Sequence, residues 1–153
     1  MPKLGEAKGI DIQVRIAAKP EAVFQYLTDP RKYVKWMGKQ VTLEPRPGGV
    51  YRVVCNERDT ASGKYVEVVP NKRVVFTWGW EAPGNPVPPG SSTVEITLAP
   101  DGKGTLLKLR HTGLPEPTVE PHRQGWEMYV ARLSVAATGG DPGPDPNAKP
   151  REM

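Results

Sequence analysis

Six short runs of alternating apolar and polar residues, joined by brief turns, fill most of the chain between residues 41 and 111. The runs cover residues 41–44, 50–56, 63–69, 73–81, 92–98 and 105–111. A period of two residues is typical of a β-strand with one buried face. Turn residues such as Gly48 and Gly49 separate the runs, which favours antiparallel pairing of neighbours. The pattern therefore predicts an antiparallel meander that needs a second layer over its apolar face.

Four further elements flank this meander. Residues 10–16 alternate in the same way and predict a first strand. Two short helices should follow, beginning at Pro20 and Pro30, because proline is favoured in the first turn of a helix. A long helix is predicted over about residues 119–138, after the last strand.

The closing helix carries apolar residues at helical spacing. The stripe consists of Trp126, Tyr129, Val130, Leu133 and Ala137. The charged residues Arg123, Glu127 and Arg132 should face away from it. About twenty residues of helix reach roughly 30 Å, which is long enough to cross the sheet.

These elements predict an α+β fold in which a curved, six- to seven-stranded antiparallel sheet wraps around the long C-terminal helix. The folded domain should cover residues 10–138. Residues 1–9 are expected to be a flexible N-terminus. Residues 139–153 contain four prolines and no large apolar residue except Met153, so a disordered Pro/Gly-rich tail is expected.

Composition excludes several classes of function. The formal charge is +4, but the basic residues are scattered and interrupted by acids, which argues against nucleic-acid binding. One cysteine and two histidines without ligand spacing provide neither a disulfide nor a metal site. No signal peptide or membrane span is evident, so a cytoplasmic location is expected. The sequence contains no common catalytic motif, and we assign no catalytic residue and no cofactor.

A sheet that curls around one helix leaves space where the two curvatures differ, and this predicts a cavity. Strand parity and helix spacing select the side chains that should face it. The predicted ligand-binding residues are Tyr51, Val53, Phe76, Trp78, Trp80, Ile96, Leu107, Leu109, His111, Trp126, Tyr129, Val130 and Leu133. The alternative is that these residues form an ordinary packed core, as aromatic stripes at strand spacing usually do.

The sequence leaves the roles of three polar residues undecided. His111 should point inward, either as a hydrogen-bonded core histidine or as a ligand contact or base near neutral pH. His122 should pack near a loop or stay exposed. Glu67 becomes a candidate acid if its strand turns it inward, although an outward, solvated position is favoured.

Four segments also resemble a known family. They are YVEVVPNKRVVFTWGW (65–80), PGG (47–49), HTGLP (111–115) and HRQGWEMYVARL (122–133). Over about residues 10–137 the chain is similar to the Hsp90 ATPase activator homologue-like proteins of the START/Bet v 1-like superfamily. This resemblance implies the helix-grip fold with a central cavity. It does not imply one function, because that superfamily includes lipid carriers, cyclases and co-chaperone domains.

Three functions are consistent with these observations. The leading hypothesis is binding of a small hydrophobic or amphipathic molecule between the sheet and the C-terminal helix. The first alternative is a protein-interaction module like the Hsp90 co-chaperones of the stress response. The second is a cyclase- or hydrolase-type enzyme that uses His111. The chain is expected to be a monomer or a homodimer.

Overall fold

The computed structural model describes residues 9–148, in which seven antiparallel strands form one sheet around a long helix. The strands are β1 (Ile10–Ile16), β2 (Gln40–Leu43), β3 (Val50–Val54), β4 (Thr60–Val69), β5 (Arg73–Trp78), β6 (Ser92–Asp101) and β7 (Gly104–Thr112). The α-helices are α1 (Pro20–Thr28), α2 (Pro30–Tyr33) and α3 (Glu116–Ala137), and a short 3-10 turn covers Pro146–Ala148. Most of the predicted flexible N-terminus, residues 1–8, lies outside the described residues.

The strand order β1-β7-β6-β5-β4-β3-β2 follows from the meander. Each of β2 to β7 pairs with its sequence neighbour, and β1 is added beside β7 with Ile10 opposite His111 and Ile16 opposite Thr105. The connection from β1 to β2 contains α1 and α2, which begin at Pro20 and Pro30 as predicted. This is the helix-grip arrangement expected from the sequence.

Burial confirms the predicted inner face of the sheet. From Ser92 to Leu98 in β6 and from Thr105 to His111 in β7, every second side chain is buried, which places Ile96, Leu107 and Leu109 in the core. The stripe of α3 covers this face, with Trp126 and Leu133 almost fully buried. One position differs from the prediction, because Ala136 rather than Ala137 completes the buried stripe.

The prediction of a disordered tail is wrong for residues 139–147, which we call the C-terminal strap. The strap folds back onto α3 and is held by the guanidinium of Arg132. Its Nη1 donates to the carbonyls of Pro142 and Pro144 at 3.0 and 3.2 Å, and its Nη2 donates to Gly143 at 2.9 Å. Residues 149–153 of the predicted tail lie outside the described residues.

Arg132 also corrects the prediction that it faces away from the core. The residue is only 9% exposed, and its Nε donates to the carbonyl of Trp36 at 2.9 Å. One side chain thus joins α3, the segment after α2 and the strap. Hydrophobic periodicity cannot identify such a residue, because it classifies every arginine as polar and outward-facing.

A second buried charge fixes the far end of the strap. The carboxylate of Asp145, 5% exposed, accepts hydrogen bonds from the backbone N–H of Gly38 at 2.7 Å and from the Tyr129 hydroxyl at 2.9 Å. The Tyr129 oxygen accepts in turn from the side-chain amide of Asn147. The strap is therefore attached by polar contacts rather than by apolar burial.

Replacing Arg132 by Leu should lower the free energy of unfolding by about 2 kcal/mol or more, because the buried carbonyl of Trp36 and three partly buried carbonyls of the strap lose their donor. Arg123→Leu is the matched control on the same helix. Arg123 forms an ion pair with Glu120 at the surface, so its loss should stay within about 0.5 kcal/mol. Urea unfolding of both variants measures the difference. Equal losses would show that the strap contacts contribute nothing.

Candidate functional site

A pocket of about 310 Å³ lies between one end of the sheet and the first half of α3. Three tryptophans, a tyrosine and a histidine form part of its wall, together with polar side chains. The lining residues are Met37, Cys55, Asp59, Trp78, Trp80, Asn85, Pro121, His122, Gly125, Trp126, Tyr129 and Asn147. Pro121 and Asn147 are exposed, so the pocket opens to the surface.

Gly125 provides part of the space inside this pocket. It lies in the middle of α3, where glycine is less favourable than alanine by roughly 1 kcal/mol. A Cβ built at this position would meet no atom within 4 Å. The glycine therefore leaves open volume on the pocket side of the helix.

His111 is fully buried beside the pocket and uses both ring nitrogens. The indole Nε1–H of Trp126 donates to its Nδ1 at 2.9 Å, so Nδ1 carries no proton. Its Nε2–H donates to the Ser92 hydroxyl at 2.8 Å, and Ser92 donates to the carbonyl of Trp78 at 2.9 Å. This network assigns the tautomer.

Burial, and to a lesser extent the nearby His122, lowers the pKa of His111 to about 3. The ring is therefore neutral at physiological pH, and neither nitrogen is free to take a proton. This geometry is that of the hydrogen-bonded core histidine, the first of the two roles open from the sequence. It does not favour the role of a base near neutral pH.

His122, in the pocket wall, also accepts a hydrogen bond from an indole N–H with one ring nitrogen and donates one with the other. The Trp80 indole N–H donates to its Nε2 at 3.0 Å, and its Nδ1–H donates to the Thr118 carbonyl at 2.7 Å. Burial lowers its pKa, although the bond to Thr118 opposes this shift. The residue is thus half-buried and bonded rather than exposed.

The three indoles of the pocket differ in their hydrogen bonding. Trp126 and Trp80 donate to the two histidines. The N–H of Trp78 is buried and has no hydrogen-bond partner among the residues that the structure describes. Trp36, outside the pocket, donates to the carbonyl of Tyr26 at 2.9 Å. Trp78 is therefore the one tryptophan of the described chain with an unused donor.

The predicted site residues divide into two groups. Trp78, Trp80, Trp126 and Tyr129 line the pocket. The other nine belong to the packed interior beside it: Tyr51, Val53, Phe76, Ile96, Leu107, Leu109, His111, Val130 and Leu133.

The interior is filled because its rings pack against each other. Tyr51 stacks on Phe76 with ring centroids 3.9 Å apart, and its hydroxyl bonds that of Tyr33 at 2.5 Å. The pocket lies toward the end of the sheet, where Trp78 and Trp80 meet α3. The pocket is thus smaller and nearer the rim than a cavity lined by all thirteen predicted residues.

Several lining residues escaped the sequence analysis. Gly125 had a usable signal, because an isolated glycine inside a helical pattern usually has a packing or functional reason. No signal in the sequence marked Met37 or Asn147 as pocket residues, since their positions depend on how α2 and the strap dock. Cys55 lies in the wall, and burial together with Asp145 raises the pKa of its thiol to about 12, which leaves it an unreactive apolar group.

Glu67 lies outside the site. A bulge in β4 between Tyr65 and Glu67 shifts the register against β5. Its carboxylate is exposed and forms an ion pair with Arg73. The outward position favoured from the sequence is the one observed.

Two wider features of the described residues bear on function. No helix among residues 9–148 is both long and apolar enough to cross a membrane. In the same part of the chain, no three His, Cys, Asp or Glu side chains are grouped so as to hold a metal ion.

The fold and the pocket define a helix-grip protein of the START/Bet v 1-like class. Residues 17–138 match the family model described as Activator of Hsp90 ATPase homolog 1-like protein. The chain belongs to this family.

Solved structures support the same assignment. An AHSA1-like protein from Rhizobium etli, solved by NMR, is 44% identical, with 95% of this chain and 91% of that one covered and a TM-score of 0.72. The crystal structure of CalU16 from Micromonospora echinospora is 30% identical, covers 86% of this chain and 76% of that one, and gives a TM-score of 0.71.

Curated relatives are more distant. The human protein named Activator of 90 kDa heat shock protein ATPase homolog 1 is 26% identical over 121 residues, which is 78% of this chain. The mouse protein of the same name is 24% identical over 138 residues. This chain spans 34% and 39% of the lengths of these two relatives.

Acidification should destabilise the fold through His111. Its pKa is near 6.5 in the unfolded chain and about 3 in the folded protein, so below pH 6.5 only the unfolded chain takes up the proton. The free energy of unfolding should therefore fall between pH 6.5 and pH 3, by about 2 kcal/mol from pH 7 to pH 5. The lowered pKa of His122 adds a loss in the same direction.

Urea unfolding at the two pH values tests this expectation. The His111→Gln variant cannot titrate at this position, so it should lose about 2 kcal/mol less on acidification than the parent protein. The same acid sensitivity in both proteins would show that His111 does not carry the effect.

Proposed function

We propose that this protein binds a small hydrophobic or amphipathic molecule in the pocket between the sheet and α3. The observation that carries the proposal is a helix glycine, Gly125, facing open space among Trp78, Trp80 and Trp126. A helix with an ordinary side chain at this position would be more stable. A need for the volume explains why glycine occupies this position.

The chemistry of the wall supports the same proposal. Indole rings offer large apolar surfaces with few rotatable bonds, and small-molecule sites are mostly apolar with a few polar groups that orient the ligand. The volume of about 310 Å³ is at the lower end of the range of roughly 300–1,000 Å³ for such sites. Asp59, Asn85 and Asn147 supply polar groups.

The core residues among the predicted site contribute indirectly. Tyr51 packs at 6.0 Å from the Trp78 ring, and His111 holds the indole of Trp126. In this proposal they fix the walls of the pocket, while Trp78, Trp80, Trp126 and Tyr129 contact the bound molecule.

Replacing Gly125 by Leu should abolish binding without harming the fold. The new side chain would occupy the pocket, while the gain in helix propensity should keep the unfolding free energy equal or raise it by up to about 1 kcal/mol. Phenylnaphthylamine, an uncharged fluorescent probe, should bind the parent protein one to one and accept excitation energy from its tryptophans. Its affinity should fall about tenfold or more in Gly125→Leu.

Gln124→Leu is the matched control. It places the same side chain one residue away, at an exposed position of α3 that does not line the pocket. Probe binding should be unchanged there. Equal binding by Gly125→Leu and the parent protein would contradict the proposed site.

A second candidate is a chaperone-binding role. The family model and the names of the curated relatives favour it, although this chain corresponds to only about a third of those proteins. Stimulation of the ATPase of an Hsp90 from the same organism would test it. Gly125→Leu should leave such stimulation intact, because the substitution changes the interior of the pocket and not the outer surface.

A further inference from the structure

Asp59 is the charged residue in the lining of the pocket. The other lining residues include no lysine, arginine or glutamate, and His122 is neutral because one of its ring nitrogens accepts the Trp80 N–H. Asp59 is partly exposed, so its side chain is accessible to a molecule in the pocket. Such a molecule therefore meets one negative charge and no positive charge in this lining.

Hydrogen bonds place the Asp59 carboxylate beside the opening of the pocket. The side-chain amide nitrogen of Asn56 donates to its Oδ2 at 3.1 Å and to the backbone carbonyl of Asn147 at 2.7 Å. Asn147 is an exposed residue of the lining. Among the described residues, no donor bonds the Oδ1 of Asp59, and no lysine or arginine forms an ion pair with it. Its charge is therefore available to a bound cation.

A second carboxylate adds negative charge behind the wall. Asp145 accepts a hydrogen bond from the hydroxyl of Tyr129, which lines the pocket. The Cys55 thiol, another lining group, reports both charges: burial is the main cause of its raised pKa, and the charges of Asp145 and Asp59 raise it further. Both carboxylates thus act at the wall itself, where they favour a positively charged occupant.

The aromatic wall favours the same kind of occupant. Trp78 and Trp126 are each 2% exposed, whereas Trp80 is partly exposed and offers the larger accessible indole surface. The face of an indole attracts cations, because its π-system is negative there. An anion in this site would lose its water and gain no cation in return.

We infer, on the basis of the proposed function, that the ligand is an organic cation, with an apolar body that packs against Trp80 and one ammonium group that pairs with the carboxylate of Asp59. The apolar body fills the space beside Gly125. The ammonium group stays near the opening, where it keeps part of its water and gains the charge that the fold leaves unpaired.

Three naphthalene probes separate charge from shape because they share one ring system. Naphthylmethylamine is a cation at neutral pH, ethylnaphthalene is uncharged and of similar size, and naphthoate is an anion. Isothermal titration and tryptophan quenching give the three dissociation constants. Naphthylmethylamine should bind about fivefold more tightly than ethylnaphthalene, which is the value of a well-formed ion pair at a partly exposed position. Naphthoate should bind about fivefold or more weakly than ethylnaphthalene.

Asp59→Asn tests the ion pair itself. The variant removes the charge and keeps both the shape of the side chain and an oxygen that can accept from Asn56. The ratio of the ethylnaphthalene to the naphthylmethylamine dissociation constant should fall about fivefold relative to the parent protein. Ethylnaphthalene binding reports any general damage to the pocket.

Glu57→Gln is the matched control. It removes the same charge from an exposed residue two positions away, which does not line the pocket. Solvent and salt screen a charge at such a position, so the ratio should stay within about twofold of the parent value.

Heteronuclear NMR of the parent protein gives a readout that needs no variant to fold. The side-chain amide of Asn56 donates to the Asp59 carboxylate, so its nitrogen signal responds to a cation that pairs with that carboxylate. Naphthylmethylamine should shift this signal more than ethylnaphthalene does. The indole N–H of Trp80, which is bonded to His122, should respond similarly to both probes.

The outcomes distinguish this inference from the function on which it rests. If no probe perturbs the pocket residues, the proposed binding function fails. If ethylnaphthalene binds and the ammonium group adds no affinity, the function stands and the assigned ligand chemistry is overturned. The same conclusion follows if the preference for the amine survives in Asp59→Asn, or if Glu57→Gln reduces it equally.

Discussion

The hydrogen bond from Trp126 to His111 fixes the long helix on the sheet. Apolar packing has no direction, so a stripe of large side chains alone would let α3 rotate or slide. The bond from the indole continues through His111 to Ser92 and on to the carbonyl of Trp78, and it thereby joins α3 to three strands. It also fixes the rotation of α3 that turns Gly125 and Tyr129 toward the pocket. Protonation of His111 would put a second donor in front of the indole and break this connection.

The sheet and the helix could be predicted from the sequence because their periodicities are local. Alternation correctly placed Phe76, Ile96 and Leu107 on the buried face, and helical spacing did the same for Trp126 and Leu133. The resemblance to the family agreed with this fold.

The exact place of the pocket could not be predicted. It depends on ring orientations such as the stack of Tyr51 on Phe76, and spacing along a strand does not determine them.

The prediction for the segment after residue 138 was wrong for a different reason. Its composition offers almost nothing apolar to bury, which is a sound argument against hydrophobic docking. However, a Pro/Gly-rich chain keeps every carbonyl oxygen, and Arg132 provides the donors for three of them.

The C-terminal strap forms part of the rim of the pocket. The Tyr129 hydroxyl donates to Asp145 of the strap and accepts from Asn147, while the same ring forms a wall of the pocket. The backbone carbonyl of Asn147 also accepts a hydrogen bond from the side-chain amide of Asn56. A ligand that contacted Tyr129 or Asn147 would couple its binding to the attachment of the strap, and each equilibrium would then shift the other by the same free energy. Under the proposed function, a ligand that gained contacts with Asn147 would stabilise the attached strap, and one that displaced Asn147 would favour its release.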